Sequence, residues 1–527
     1  MLQRRSVSVS DPVARRAGPG RPAHPLSGPD VIGWGLRSSS AVAVLVLLHV
    51  AVYALSATWT FGWGALHPDM TEAWMWGKEF QLGYPKHPPF FAWAAGVWFS
   101  LLPRTDGSFY LLAAVSAAIG LAGVWRIAGR LLDPARRWAA LLLLMLMPFF
   151  SIYAARYNAN SALLASWPWA AYFFIRSIES RGLADAALLG ALAALSLLTK
   201  YYSAVLLASF LLAALLHPMR ARFFKSPAPY LAVLVCTLVL LPHMVWTIKA
   251  DFPTLKYALS KTEYAPYGVR LRTAGAVLTS LANLSLAIAV FACLFWGQLR
   301  QLMVSVARAM LSPEMAWLSA LTFGPVLLTL ALSLLGNVRI AAPFLIPAFF
   351  MLPIFILRAS APTLSRHVLA TLLRSVAAVW CAMLVIAPGL GYAVARFNWG
   401  PPAEPQRELA HAVSEIWRQR FATRLEAVAG NETYCRALTF YARDAPSFFS
   451  LAKPSSTPWI SEARLKASGL LILCRDADTS CLAHLHALAR AQTQKLRLTL
   501  PVRMWGYTGV HHAFTVLLVP PWPDAEN

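Results

Sequence analysis

The stretch His67 to Trp93, HPDMTEAWMWGKEFQLGYPKHPPFFAW, places Asp69, Glu72, Lys78, Glu79, Lys86 and His87 within one short polar loop. A carboxylate at the water-facing edge of an apolar cavity can serve as general base and orient an attacking hydroxyl, which makes Asp69 the leading catalytic candidate. Glu72 shares its face if the segment is helical and is the second candidate. Lys86 and His87, with Lys200 and Arg339, fall at the outer ends of apolar segments, where cations can hold a phosphate by charge-assisted hydrogen bonds. A lone Lys or Arg at such an end otherwise snorkels to the headgroups. Tyr84 is a further candidate substrate contact. Asn158 and Asn160, in ARYNAN, can hydrogen-bond a sugar or cap the helix that starts near Ser161. No Gly-rich nucleotide cradle is present. His511 and His512 are adjacent and point to opposite faces of a strand, so no metal site is read there.

The elements that must position these groups are mostly membrane spans. The 527 residues are 58% hydrophobic and 13% charged, with mean hydropathy +0.54, against roughly 25% charged residues in soluble domains. A formal charge of +23 belongs to loops facing the cytoplasm and anionic lipid rather than to a nucleic-acid partner. Residues 1–38 are rich in Arg, Pro and Gly and read as a disordered cytoplasmic tail without a secretory signal. A first span over 39–58 delivers the first outer loop, 59–106, to the far side, with Pro88 to Pro103 lying at the interface. Arg126, Arg130, Arg136 and Arg137 mark the next inner side. Continued alternation predicts about eleven spans over 39–396, starting inside.

Everything after Arg396 is then outside, and residues 397–527 read as a small periplasmic α/β domain on a bacterial inner membrane. It has a helical stretch near Glu404 to Ala427 and strand-like runs at Thr433–Thr439, Gly469–Cys474, Leu496–Leu500 and Phe514–Val519. A Cys474–Cys481 disulfide would close a short loop, with Cys435 left over or the true partner of one of them.

These residues resemble a family. The chain is similar to the glycosyltransferase family 39 membrane enzymes of the type C fold, which include protein O-mannosyltransferases, aminoarabinose transferases and rhizobial galacturonosyltransferases. The resemblance rests on Asp69, Trp74 and Trp76, then Gly83, Tyr84, His87, Pro88 and Pro89. It extends through Asn158 to Asn160, Leu198-Thr199-Lys200 and, more loosely, Arg339 before Pro343. It implies a polyprenyl-phosphate-linked sugar as donor, Asp69 as the acceptor-activating base, and His87 and Lys200 as phosphate contacts. Two departures stand out: Met70 replaces the acid that usually follows the Asp, and Lys86 precedes the His where an acid is common.

The sequence therefore predicts an all-α polytopic type C glycosyltransferase with a small C-terminal α/β domain. It would move a monosaccharide from a polyprenyl phosphate to a lipid, glycan or protein acceptor at the periplasmic face. The alternative is a transporter or flippase of lipid-linked sugars, which should place a charge in mid-span, whereas the ionisable residues here fall mainly at span ends. No cofactor is assigned, and a divalent cation is left open.

Overall fold

The computed structural model describes residues 39–261, 266–488 and 493–522. The predicted tail, 1–38, lies outside the described residues. The chain opens with α1 (Ser39–Phe61), α2 (Pro68–Gly77), α3 (Phe90–Leu101), α4 (Asp106–Leu131), α5 (Pro134–Met145), α6 (Ala159–Ser180) and α7 (Leu183–Thr199). Among the described residues six helices are long and apolar enough to cross a bilayer: α1, α4, Ala228–Lys249, Pro266–Leu294, Ala316–Gly336 and Arg366–Phe397. The pair Ala342–Phe349 and Leu352–Ser360, bent by 46°, makes a seventh if taken as one span.

The expected eleven is not reached by such helices because several apolar segments are short or broken. The segment 138–155 is not one helix: α5 ends before Met147, and Pro148, which cannot continue the ladder, opens a single 3-10 turn. Pro343 and Pro347 likewise hold Ala342–Phe349 in 3-10 form. At 1.5 Å per residue, the 12 residues of α3 reach only about 18 Å, too short to cross, as expected of Pro88 to Pro103.

Two glycines lock α3 against α2. A Cβ on Gly77 would sit 2.2 Å from the Ala92 carbonyl oxygen, and one on Gly96 would sit 2.3 Å from the Gly77 carbonyl oxygen. The two backbones touch, and only glycine permits that approach.

The C-terminal part carries a five-stranded sheet of order β2-β1-β3-β5-β4. Its strands are β1 (Ala427–Gly430), β2 (Ser447–Phe449), β3 (Leu470–Arg475), β4 (Gln494–Met504) and β5 (Tyr507–Val519). β1 runs parallel to β2 and β3, while β5 is antiparallel to both β3 and β4. The β4–β5 turn places Trp505 and Gly506 at positive φ, the geometry of a tight hairpin. The run Thr433–Thr439, expected as a strand from its threonines, is instead inside the helix Glu432–Tyr441. Asn431 caps that helix through the Tyr434 amide, and Glu432 occupies its first turn, so start signals outweigh β-branched composition. Cys474 and Cys481 form the disulfide, and Cys435 is a buried free thiol.

One apolar core joins this sheet to the first loop. Trp74 of α2, Phe99 of α3 and Phe109 of α4 meet Phe440, with ring centroids 5.5–6.4 Å apart where they touch it. Polar bonds fix the same seam: Trp74 Nε1 donates to the Thr439 carbonyl at 2.8 Å, and Arg407 meets the buried Asp106 at 2.6 Å.

Candidate active site

Helix α2 is built to present a carboxylate. His67 is its N-cap, accepting the Asp69 amide at Nδ1 (3.2 Å), and Pro68 fills the first position, where its missing N–H costs nothing. Asp69 then sits in the first turn, where the helix dipole favours negative charge. The following turns are buried from Met70 to Gly77, while the Asp69 side chain stays 42% exposed.

A hydrogen-bonded relay runs from Asp69 across α6 to Lys200. Asn158 donates from Nδ2 to Asp69 Oδ2 at 3.1 Å. Its Oδ1 accepts the amides of Asn160 and Ser161 at 2.8 and 3.1 Å, so one asparagine both caps α6 and touches the carboxylate. Asn160 Oδ1 accepts from Lys200 Nζ at 2.6 Å. Lys200 follows the last residue of α7, and its Nζ lies 3.5 Å from the centroid of the Phe344 ring.

Glu72 is placed differently from Asp69. It is 6% exposed and its Oε1 receives both Lys86 Nζ and Arg436 Nη2 at 2.9 Å. Lys86 also reaches Glu432 at 3.3 Å, and Arg436 bonds Glu432 as well. Burial pushes the Glu72 carboxyl up, and Arg436 and Lys86 pull against it. Burial likewise opposes ionisation of Glu432, but Arg436 and Lys86 outweigh it and hold that carboxyl low. Glu72 is therefore committed to a four-membered ion cluster, unlike Asp69. The cluster also accounts for Lys86, the basic departure noted in the sequence: its charge is matched by Glu72 and Glu432.

These groups surround one cavity of about 590 Å³. Asp69, Glu72, Lys86, His87, Asn158, Asn160, Lys200 and Arg339 all line it. Tyr84 does not: it is fully buried, stacks on Trp76 with centroids 5.1 Å apart, and donates its hydroxyl to the Trp76 carbonyl at 2.6 Å. It packs the loop rather than facing a substrate. His87 is pushed down to about 3 by burial and then by Lys200, Lys86, Lys261 and Arg436; it is a neutral imidazole at pH 7 and can offer a phosphate a hydrogen bond but no charge. Lys200 is pushed down to about 7, first by burial, with Asp69 opposing and Lys261 assisting.

Two cations on the wall were not among the sequence candidates, Lys261 and Arg436. Lys261 follows the short helix Pro253–Leu259, whose Tyr257 also lines the cavity. Arg436 comes from the C-terminal helix Glu432–Tyr441, and no local pattern joins it to a loop so distant in sequence. The lining holds five cations, Lys86, Lys200, Lys261, Arg339 and Arg436, against two carboxylates, Asp69 and Glu72. Such a wall selects an anion. Among the described residues no three His, Cys, Asp or Glu side chains gather as metal ligands.

Comparison with known proteins bears on the same region. Residues 86–246 match the family described as dolichyl-phosphate-mannose-protein mannosyltransferase. Over 210 residues the chain is 25% identical to the lipid A galacturonosyltransferase RgtD of Rhizobium johnstonii (strain DSM 114642 / LMG 32736 / 3841); that match covers 39% of this chain and 43% of RgtD, less than half of the relative. The crystal structure of ArnT from Cupriavidus metallidurans bound to undecaprenyl phosphate superposes with a TM-score of 0.60 at 14% identity, covering 91% of this chain and 98% of ArnT. The chain has the type C glycosyltransferase fold. Its apo counterpart gives a TM-score of 0.57 at 12% identity over the same shares. The family resemblance read from the first loop is thus borne out, and the type C fold accounts for a mostly helical body that carries a small C-terminal sheet.

Proposed function

We propose that this protein transfers a monosaccharide from a polyprenyl-phosphate donor to a lipid, glycan or protein acceptor at the periplasmic face of the inner membrane. The observation that carries the reading is the cavity lined by Asp69 together with Lys200, Lys261 and Arg339. Its support from relatives is the match to a lipid A galacturonosyltransferase and the shared fold with an ArnT seen with undecaprenyl phosphate.

In this reading the acceptor hydroxyl gives its proton to Asp69, whose Oδ2 is held by Asn158. The hydroxyl oxygen bonds to the anomeric carbon as the bond to the phosphate oxygen breaks. The leaving polyprenyl phosphate gains a negative charge, which the cations are positioned to hold without reorganisation. A single in-line displacement inverts the anomeric configuration, and a product with the donor's configuration contradicts it.

The test is transfer in nanodiscs, offering radiolabelled polyprenyl-phosphate sugars and total envelope lipid to wild type and Asp69→Asn. Removing a general base should slow transfer by about 10²–10⁴-fold. Equal rates would remove Asp69 from the mechanism. No transfer from any donor by folded wild type, with the panel validated on a known transferase, would favour a flippase or scaffold.

A further inference from the structure

A second cavity, of about 390 Å³, lies further along α2, past the catalytic one. The two share Lys86. Asp69 and Glu72 face the first cavity, whereas Met75 and Trp76, one to two turns on, wall the second. Apart from Pro85, the rest of the second cavity comes from the C-terminal part and sits past the carboxyl ends of β1, β2 and β3, at Gly430-Asn431, at Ser450 and at Asp478. From β1 the chain turns to β2 on one side, and from β2 it crosses to β3 on the other. In open α/β sheets that reversal is where ligands bind.

We propose that this second cavity binds the saccharide headgroup of the acceptor. This rests on the transferase reading above and adds where the acceptor is recognised. The lining offers hydroxyls and an amide, from Ser450, Ser456 and Asn431, with two acids, Glu432 and Asp478, and two bases, Lys86 and the exposed Lys453. Side chains of this kind match the alternating donors and acceptors of sugar hydroxyls. A peptide binding by strand addition would need an open strand edge to pair with, and the edge here, β2, is three residues long. The volume falls within the roughly 300–1,000 Å³ of small-molecule sites. Lys86 lines both cavities and pairs with Glu432 on the wall of the second, so the hydroxyl of an acceptor seated there enters past the ion cluster.

The experiment uses full-length protein in nanodiscs on an array of soluble bacterial oligosaccharides, comparing wild type, Ala452→Trp, Lys453→Ala and Asp69→Asn. Ala452 and Lys453 are exposed on the cavity wall, so both variants should fold, as checked by unchanged binding of undecaprenyl phosphate. The expected result is saturable saccharide binding by wild type and Asp69→Asn, weakened at least tenfold by Ala452→Trp and severalfold by Lys453→Ala. Absence of saccharide binding by wild type, or equal binding by Ala452→Trp, overturns the proposal. Saccharide binding that persists while no donor supports transfer would instead count against the catalytic reading alone.

Discussion

At the residue scale, the cavity separates groups of the same type by their partners. Asp69 is half-exposed, bonded by the neutral amide of Asn158 and 3.6 Å from the His67 ring, whereas Glu72 is buried between two cations. Glu72→Gln should therefore act on stability first: a buried ion cluster that loses one member leaves charge uncompensated, at a cost of about 3 kcal/mol. Thermal unfolding in detergent should show the loss, and a Glu72→Gln, Arg436→Met double variant should recover part of it. An unchanged midpoint in the single variant would contradict this account. Lys200 carries a pH prediction. With its pKa at about 7, it is charged below that pH and neutral above it, so affinity for a polyprenyl-phosphate sugar, whose phosphodiester keeps a single charge across this range, should fall as pH rises through 7 and stay level below. Lys200→Arg, which remains charged, should flatten that profile; the same slope in wild type and variant would exclude Lys200 as its source. Asp69, Lys200 and the asparagines could be picked out from sequence because their chemistry stands out at the ends of apolar runs. Arg436 could not, since nothing near it in the chain announces the distant Glu72, and Tyr84 misled because an aromatic hydroxyl looks alike whether it packs or binds.

At the scale of elements, the position of α2 follows from its contact with α3. Gly96→Ala must push the two helices apart, because the new methyl would overlap the Gly77 carbonyl. Displacing a positioned group by about 1 Å can cost on the order of 10²-fold in rate, so turnover should fall by about that factor while binding of undecaprenyl phosphate persists. Full activity in Gly96→Ala would show that α2 can move without harm. Hydropathy revealed the long helices, such as α1 and α4, but not the interruptions at Pro148, Pro343 and Pro347, where a backbone rule breaks an apolar run that composition alone reads as continuous. The same limit applied to Thr433–Thr439, whose β-branched residues hid a capped helix.

At the scale of the whole molecule, the expected orientation can be checked directly. In a background with Cys236, Cys293 and Cys381 replaced by alanine, Arg424→Cys should react with an impermeant maleimide added outside the inner membrane, and Arg220→Cys only after the membrane is opened. The reverse pattern would invert the proposed topology. Both positions are exposed. The C-terminal sheet was legible as a separate composition, but its share in the cavity was not, because burial against α2 is a property of the assembled chain. That shared seam has a consequence in time. Trp74 and its carbonyl partner on Thr439 are 365 residues apart, and Arg436 lies just before the latter. During synthesis the carboxylate of Glu72 emerges long before the arginine that completes its cluster. The cavity cannot be finished until the last quarter of the polypeptide has folded against it, so a chain truncated before Arg436 would leave the Glu72 cluster incomplete.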